Sequence, residues 1–328
     1  MNIPAHRLCA QFDLGEFVRA DPAGGTRNRN YILHTNRGRW FVRERYTGYC
    51  EPERIRFDHE CARYLADHGA PVVPPCLASD GETCWRDGNT VWEVYPFVEG
   101  CAFRDGSRED LSALGESLAI FHKIGRDFPL RFEKAAPRGE TDPDRLLLRL
   151  GDLEREDPEI GEAAAVYRDA LIRAGADLPF EIYSQLPHTL IHGDLQPANI
   201  LVKDGKIAAF VDLDWCGRQT RIYDIAFVLL CCCGHDTPFD GADIRSLTQP
   251  PRLDCDLMRN FLRAYEGAGA PLSLEEKSAL VPQVILSWCE MRIDGAHKVA
   301  KDKQREFLSR EPAPFERLIR RTVREAVG

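Results

Sequence analysis

Residues 190–215 read LIHGDLQPANILVKDGKIAAFVDLDW and set four carboxylates, His192 and Asn199 among apolar runs. A carboxylate in apolar surroundings is costly unless it meets a cation, a set of donors or a reaction. Asp204–Gly205, flanked by Ile200–Val202 and Ile207–Val211, is a strong two-residue hairpin signal. Such a turn pairs Lys203 with Lys206, Val202 with Ile207 and Asn199 with Phe210. Side chains alternate along a strand, so Asp212 is expected on the face that holds Phe210 and Asn199. Asn199 and Asp212 then become diagonal neighbours at the mouth of the ribbon, about 7 Å apart at the backbone. An amide and a carboxylate so placed suit magnesium, a hard cation that keeps water and phosphate oxygens among its ligands. Asn199 and Asp212 are the candidate metal ligands.

Asp194 lies five residues before Asn199, in the loop ahead of the hairpin. His192, Asp194, Leu195 and Asn199 form H-x-D-L-x-x-x-N, the spacing of a kinase catalytic loop. In that chemistry the first aspartate orients or accepts the proton of the acceptor hydroxyl, and the amide and the later aspartate hold metal. Asp194 is therefore the candidate catalytic residue. Two other readings stay open. The acids could be solvated turn residues, or His192, Asp194, Asp212 and Asp214 could all ligate the metal of a hydrolase. The second leaves Asn199 and the N-terminal third without a role.

The wider sequence resembles the aminoglycoside phosphotransferase and choline kinase-like family of small-molecule kinases. The resemblance spans nearly the whole chain: AGGTRNRNYIL, FVRERY, the segment bearing Glu60, VWEVYPFVEG, HGDLQPANILV, FVDLDW and YDIAFVL. GGTRNRNY and YEGAGAPLSLEEKSAL are nearest in pattern to the type II homoserine kinase branch. The resemblance implies a bilobal, protein-kinase-like α+β fold with a small β-rich N-lobe, residues 1–97, and a larger mainly helical C-lobe, residues 98–328. It implies ATP between the lobes, Mg²⁺, and phosphoryl transfer to a small-molecule acceptor. Gly24, Gly25, Thr26 and Asn28 would approach the phosphates, where small residues and free N–H groups serve. Arg43 stands where the family carries a phosphate-pairing lysine or arginine, with Glu60 as its matching helix acid. Tyr95, Phe97 and Val98 would form the hinge beside adenine. His192 and Asp224 are read as supports of the loop. Trp288, Glu290 and Asp294 could line an acceptor pocket or simply form a charged helix face. A pseudokinase that binds without turnover is the remaining alternative.

The elements that must position these residues can be read coarsely. Tyr31–His34 and Trp40–Arg45 alternate as strands across a polar turn, and Pro52 to Gly69 carries an amphipathic helical pattern ended by glycine. Strand-like pieces follow near Thr83–Trp85 and Thr90–Phe97. Beyond Gly100 helices dominate, first over Asp110–Lys123, then from Arg145 to Ala176, with a polar surface loop over Phe132–Asp144 between them.

Among 328 residues there are 43 basic and 52 acidic side chains, a net charge of −9 that speaks against a general nucleic-acid binder. The twelve cysteines contain no C-x-x-C, and Cys231–Cys233 are adjacent in an apolar run, which suits small core residues in a reducing compartment. The N-terminus lacks a basic segment followed by an apolar one, and the longest apolar run, Ile225–Cys233, is too short for a bilayer. A cytoplasmic protein without membrane attachment is expected; nothing in the sequence bears on its oligomeric state.

Overall fold

A computed structural model describes residues 3–25, 27–104, 106–129, 134, 142–235 and 252–328. Its N-terminal part is helix α1 (Ala5–Gln11) followed by strands β1 (Phe17–Ala23), β2 (Arg29–Thr35) and β3 (Gly38–Glu44), helix α2 (Pro52–Asp67), and strands β4 (Trp85–Asp87) and β5 (Thr90–Pro96). The five strands form one antiparallel sheet in the order β1-β2-β3-β5-β4. Alternation of the β2 and β3 sequences buries Tyr31, Leu33 and Val42, which join Trp92 and Val94 of β5, Leu8 of α1 and Phe12 just after that helix in a small core. The helix expected from Pro52 begins there, with proline at its first position, where no N–H is needed. Helix α1 and strand β1 were not expected. β1 is a half-exposed edge strand without alternation, so its sequence carries little strand signal.

α2 faces two ways. Asp58 and His59 bond toward the sheet. Phe57, Cys61, Ala62 and Leu65 belong instead to the large apolar core of the rest of the chain. There Phe57 and Tyr64 meet Phe128 edge to face, with ring centres 6.0 and 5.2 Å apart.

From β5 the chain passes through residues 97–100 to β6 (Cys101–Ala102) and then to α3 (Arg108–Arg126), α4 (Pro143–Glu156), α5 (Gly161–Asp177) and α6 (Phe180–Tyr183). Ser107 caps α3 by accepting from the Asp110 N–H at 3.1 Å, and Leu111, Leu114, Leu118 and Phe121 form its buried stripe. The helical pattern over 145–176 is two helices, broken at Asp157–Pro158. β7 (His188–Ile191) pairs antiparallel with β10 (Gly217–Thr220), and between them β8 (Ile200–Lys203) and β9 (Lys206–Phe210) form a hairpin joined by β6. Then follow α7 (Ile222–Cys231), β11 (Gly234–His235), β12 (Arg252–Leu253), α8 (Cys255–Gly267), α9 (Leu274–Ala296), α10 (Lys301–Ser309) and α11 (Pro312–Val327). A reciprocal Ser273–Glu276 capping box starts α9.

The result is the expected α+β, bilobal architecture: a small sheet-rich part above a larger, mainly helical one. Cys231, Cys232 and Cys233 are buried at the end of α7 as core residues. No helix among the described residues is long and apolar enough to cross a membrane. Most of the expected surface loop 132–144 lies outside the described residues. Lys134 within it is described, and it is buried.

Candidate active site

Asp204 and Gly205 both take positive φ, +51° and +71°, the conformation of the tight hairpin turn read from the sequence. Lys203 pairs with Lys206 and Val202 with Ile207, also as expected. The register then shifts: Leu201 pairs with Ala209 and Ile200 with Phe210, leaving Ala208 as the extra residue of a bulge. Asn199 therefore does not face Phe210; its carbonyl accepts from the Val211 N–H at 3.0 Å. Asp212 has left the ribbon, with φ +65° and ψ +61°, and opens a single 3₁₀ turn over Leu213–Trp215. Strict alternation is thus the wrong reason for bringing Asn199 and Asp212 together. A bulge and a left-handed residue turn both side chains into one cleft.

That cleft, about 890 Å³, lies between the sheet and the helical part. Gly24, Gly25 and Asn28 line its roof, Arg43 its back, Tyr95, Phe97 and Val98 its connecting edge, and Asp194, Asn199 and Asp212 its floor. Thr26 lies outside the described residues. Glu60 is not part of the lining, and among the described residues it makes no ion pair with Arg43. The expected strand–helix pairing is corrected as follows. Arg43 donates from Nη1 to Asp214 Oδ1 at 2.9 Å and from Nη2 to Asp212 Oδ1 at 3.2 Å. The helix acid on the inner face is Asp58, two residues and about 200° around the helix from Glu60. Asp58 is taken by Arg45 and Lys134. Arg45 also donates to Glu93 at 2.7 Å, and His59 Nε2 donates to the other side of Glu93 Oε1 at 3.0 Å.

This buried network fixes its charges by proximity. Burial opposes ionisation of Arg43, but the facing Asp214 and Asp212 carboxylates outweigh it and hold the guanidinium protonated. Glu93 is held well below the usual carboxylate range: burial works against this, and Arg45 and His59 overcome it. Asp214 is lowered in the same way by Arg43 and Arg45 against its burial. Asp212 goes the other way, pushed up to about 6 by burial, with Asp214 and Asp194 adding to the effect against Arg43. An acid crowded by two others while 36% of its side chain remains exposed fits a divalent cation, which would relieve that repulsion. Asn199 supplies a complementary amide: its Nδ2 donates to the Asp194 carbonyl at 2.8 Å, which leaves the amide oxygen as the acceptor end. Among the described residues no three His, Cys, Asp or Glu side chains converge as a metal nest, so the hydrolase arrangement is not formed.

The Asp194 loop is held from below. His192 Nε2 donates to the Val211 carbonyl at 2.9 Å, and its Nδ1 accepts from the Asp194 N–H at 3.3 Å. Burial lowers its pKa, so it stays a neutral scaffold. Asp224, in the first turn of α7, accepts from the N–H groups of His192 and Gly193 at 2.7 and 2.9 Å and from His122 Nε2 at 3.1 Å. Gly193 sits at φ +79°, and a side chain there would run into the Trp215 carbonyl. That contact explains the glycine of HGD.

Beyond Asp194 the floor is lined by Gln196, Trp215, Phe227, Met291 and Lys298. The segment Val284–Lys298 does reach the cleft, but through Met291 and Lys298. Trp288 is fully buried against Tyr167, Glu290 is buried between Tyr223 and Arg145, and Asp294 pairs with Arg145 and Arg149. These three support the helix packing and do not line the cleft. Lys134, whose Nζ reaches Asp58 and the carbonyls of Asp214 and Cys216, was invisible in a stretch that reads as surface.

A family model described as the phosphotransferase enzyme family matches residues 20–271. A homoserine kinase of Brucella anthropi is 30% identical over 227 residues, covering 68% of this chain and 66% of that protein, just under two thirds of its length. A homoserine kinase of Phenylobacterium zucineum is 29% identical over 276 residues, covering 84% and 78% of the two chains. Among solved structures, an aminoglycoside phosphotransferase from Alicyclobacillus acidocaldarius superposes with a TM-score of 0.69 at 16% identity, covering 97% of this chain and 94% of that one. A microcompartment-associated aminopropanol kinase gives 0.61 at 17%, covering 94% of each. Both structural likenesses speak for the fold alone. With its catalytic-loop spacing, its cleft and this match over most of its length, the chain belongs to the phosphotransferase enzyme family and is a small-molecule kinase of that family.

Proposed function

We propose that the chain transfers the terminal phosphoryl group of Mg-ATP to the hydroxyl of a small hydroxy-amino acid, homoserine or a near analogue, in the cytoplasm. Residues 1–97 would serve as the nucleotide lobe and 98–328 as the catalytic and acceptor lobe. The observation that carries the reading is that Arg43, Asp194, Asn199 and Asp212 converge on one cleft between sheet and helices. The choice of acceptor is supported by the homoserine kinases among the relatives.

Asp194 would take the hydroxyl proton as the acceptor oxygen bonds to the γ-phosphorus and the bond to the β-phosphate oxygen breaks, ADP leaving with the electron pair. Bound magnesium would supply charge neutralisation on the phosphates, with Asn199 and Asp212 as its protein ligands. Arg43 would stabilise phosphate charge through Nε, a buried donor without a partner among the described residues. His192, neutral and doubly bonded, keeps Asp194 in register and carries no proton. Tyr95, Phe97 and Val98 would meet the adenine, and Gly24, Gly25 and Asn28 would close over the phosphates.

The test is Mg-ATP consumption by the full chain across homoserine, other hydroxy-amino acids, amino alcohols and aminoglycosides. Homoserine as the best acceptor by kcat/KM is expected. Preferred turnover of an aminoglycoside would overturn the acceptor, and ATP binding without turnover of any acceptor would make the protein a binder.

A further inference from the structure

In kinases with a lysine on the third strand, that cation is set by an acid on the adjacent helix, so helix position governs the site. Here the helix offers nothing to Arg43. Glu60 is outside the cleft lining, and Asp58 is occupied by Arg45 and Lys134.

We infer that Asp214 is the positioning residue for the Arg43 guanidinium and, through Asn28, ties the glycine loop to the metal loop; this rests on the reading that Arg43 meets nucleotide phosphate. Asp214 is 4% exposed, and its oxygens are taken by one strand residue and one glycine-loop residue. Oδ1 accepts from Arg43 Nη1 at 2.9 Å, and Oδ2 accepts from Asn28 Nδ2 at 2.9 Å. Asn28 in turn accepts from the Tyr46 N–H at 2.9 Å, so it is fixed at both ends of its amide. The peptide carbonyl of Asp214 is anchored as well, by Arg54 Nη2 at 3.0 Å and by Lys134 Nζ at 2.6 Å. The carboxylate thus stands on a rigid turn at the cleft wall and spends both oxygens on Arg43 and Asn28. Arg43 is forked between Asp214 and Asp212, with its Nε left over. A planar fork reaches two carboxylates from two separate nitrogens and keeps the third in a fixed direction, whereas an ammonium offers all three of its donors from one point on a flexible stem. That is the physical reason for arginine where lysine is common. It also divides the DLD acids: Asp212 meets Arg43 through Oδ1 alone, at the longer 3.2 Å, and is the one assigned to metal, whereas Asp214 spends both oxygens on Arg43 and Asn28.

The division is tested by calorimetric ATP binding to the full chain at several fixed Mg²⁺ concentrations, with thermal unfolding as the folding control. Asp214→Asn should weaken ATP about tenfold to a hundredfold, the loss of one charge-assisted hydrogen bond. The Mg²⁺ concentration giving half-maximal binding should stay at the wild-type value. Arg43→Lys should weaken ATP comparably, and the double variant should be no worse than the poorer single one. Unchanged ATP affinity in Asp214→Asn, additive losses in the double variant, or a higher Mg²⁺ requirement like that of Asp212→Ala would each overturn the inference; the last would make Asp214 a metal ligand. Should Asp214→Asn not fold, Asn28→Ala carries the test through the loop tether, with a severalfold loss of ATP affinity expected and none overturning it. Wild-type protein that binds no ATP would refute the kinase reading instead.

Discussion

Replacing Asp224 by asparagine should cost both stability and turnover, although the residue never touches a substrate. Its carboxylate is 0% exposed and collects three donors: the His192 and Gly193 N–H groups at 2.7 and 2.9 Å and His122 Nε2 at 3.1 Å. An asparagine of the same shape has one acceptor oxygen. Its NH₂ must then face one of the donors, leaving that donor and itself unmet in a dry place. Hydrogen bonds to a carboxylate contribute about 1.5–3 kcal/mol each, and a stranded buried donor costs about 1–3 kcal/mol, so Asp224→Asn should lose about 2–4 kcal/mol. That is a large part of the roughly 5–15 kcal/mol that keeps a protein folded, and in a chain of 328 residues should lower the melting temperature by about 3–6 °C. The same rearrangement shifts the peptide that carries Asp194. Misplacement by about 1 Å can cost about a hundredfold in rate, so kcat should fall by that order while ATP affinity holds. Urea unfolding and steady-state kinetics on the same preparation give both numbers. A variant that melts within about 1 °C of wild type and turns over within twofold would refute the reasoning.

Asp194→Asn should cut turnover by about two orders of magnitude or more and leave Mg-ATP affinity nearly intact, as calorimetry would show, because the nucleotide does not need the base in order to bind. Asp212→Ala should weaken Mg-ATP binding itself and raise the Mg²⁺ needed; unchanged nucleotide affinity would break the metal-ligand assignment. His192 gives a pH prediction. Burial keeps its folded pKa below the usual value near 6.5, so the unfolded chain takes up the proton first. The stability this neutral histidine confers is full above about pH 6.5 and is lost as pH falls below it, at up to about 1.4 kcal/mol per pH unit. Unfolding of wild type and His192→Gln should therefore diverge between about pH 6.5 and 5. Parallel curves would show that His192 already titrates normally.

What the sequence disclosed was local chemistry. The Asp204–Gly205 turn, the Pro52 helix start and strands β2, β3 and β5 of the sheet follow from residue type and period. The bulge at Ala208 does not, because strand twist and the docking of Phe210 N–H on the Pro71 carbonyl decide it, and both come from distant segments. Glu60 misled for a related reason. Asp58 sits on the buried stripe of α2 with Phe57, Cys61 and Ala62, and a charged residue there breaks the apolar pattern that would have marked the inward face. Its partners Arg45 and Lys134 lie 13 and 76 residues away, beyond any periodicity. Glu290 and Asp294 could be read as a pocket lining or a charged helix face because the cations that meet them, Arg145 and Arg149, come from α4, far away in the sequence.

The packing of α2 into the larger core limits how this enzyme could be controlled. Swinging that helix outward, the motion by which many kinases are switched off, would bring Phe57, Cys61 and Leu65 into water. Uncovering such side chains costs on the order of 5 kcal/mol in total, so fewer than about one molecule in a thousand would occupy the swung state at rest. An inhibitor that acts by prising α2 loose would have to supply that much differential affinity. A ligand that binds both helix positions equally would leave the site assembled, however tightly it bound.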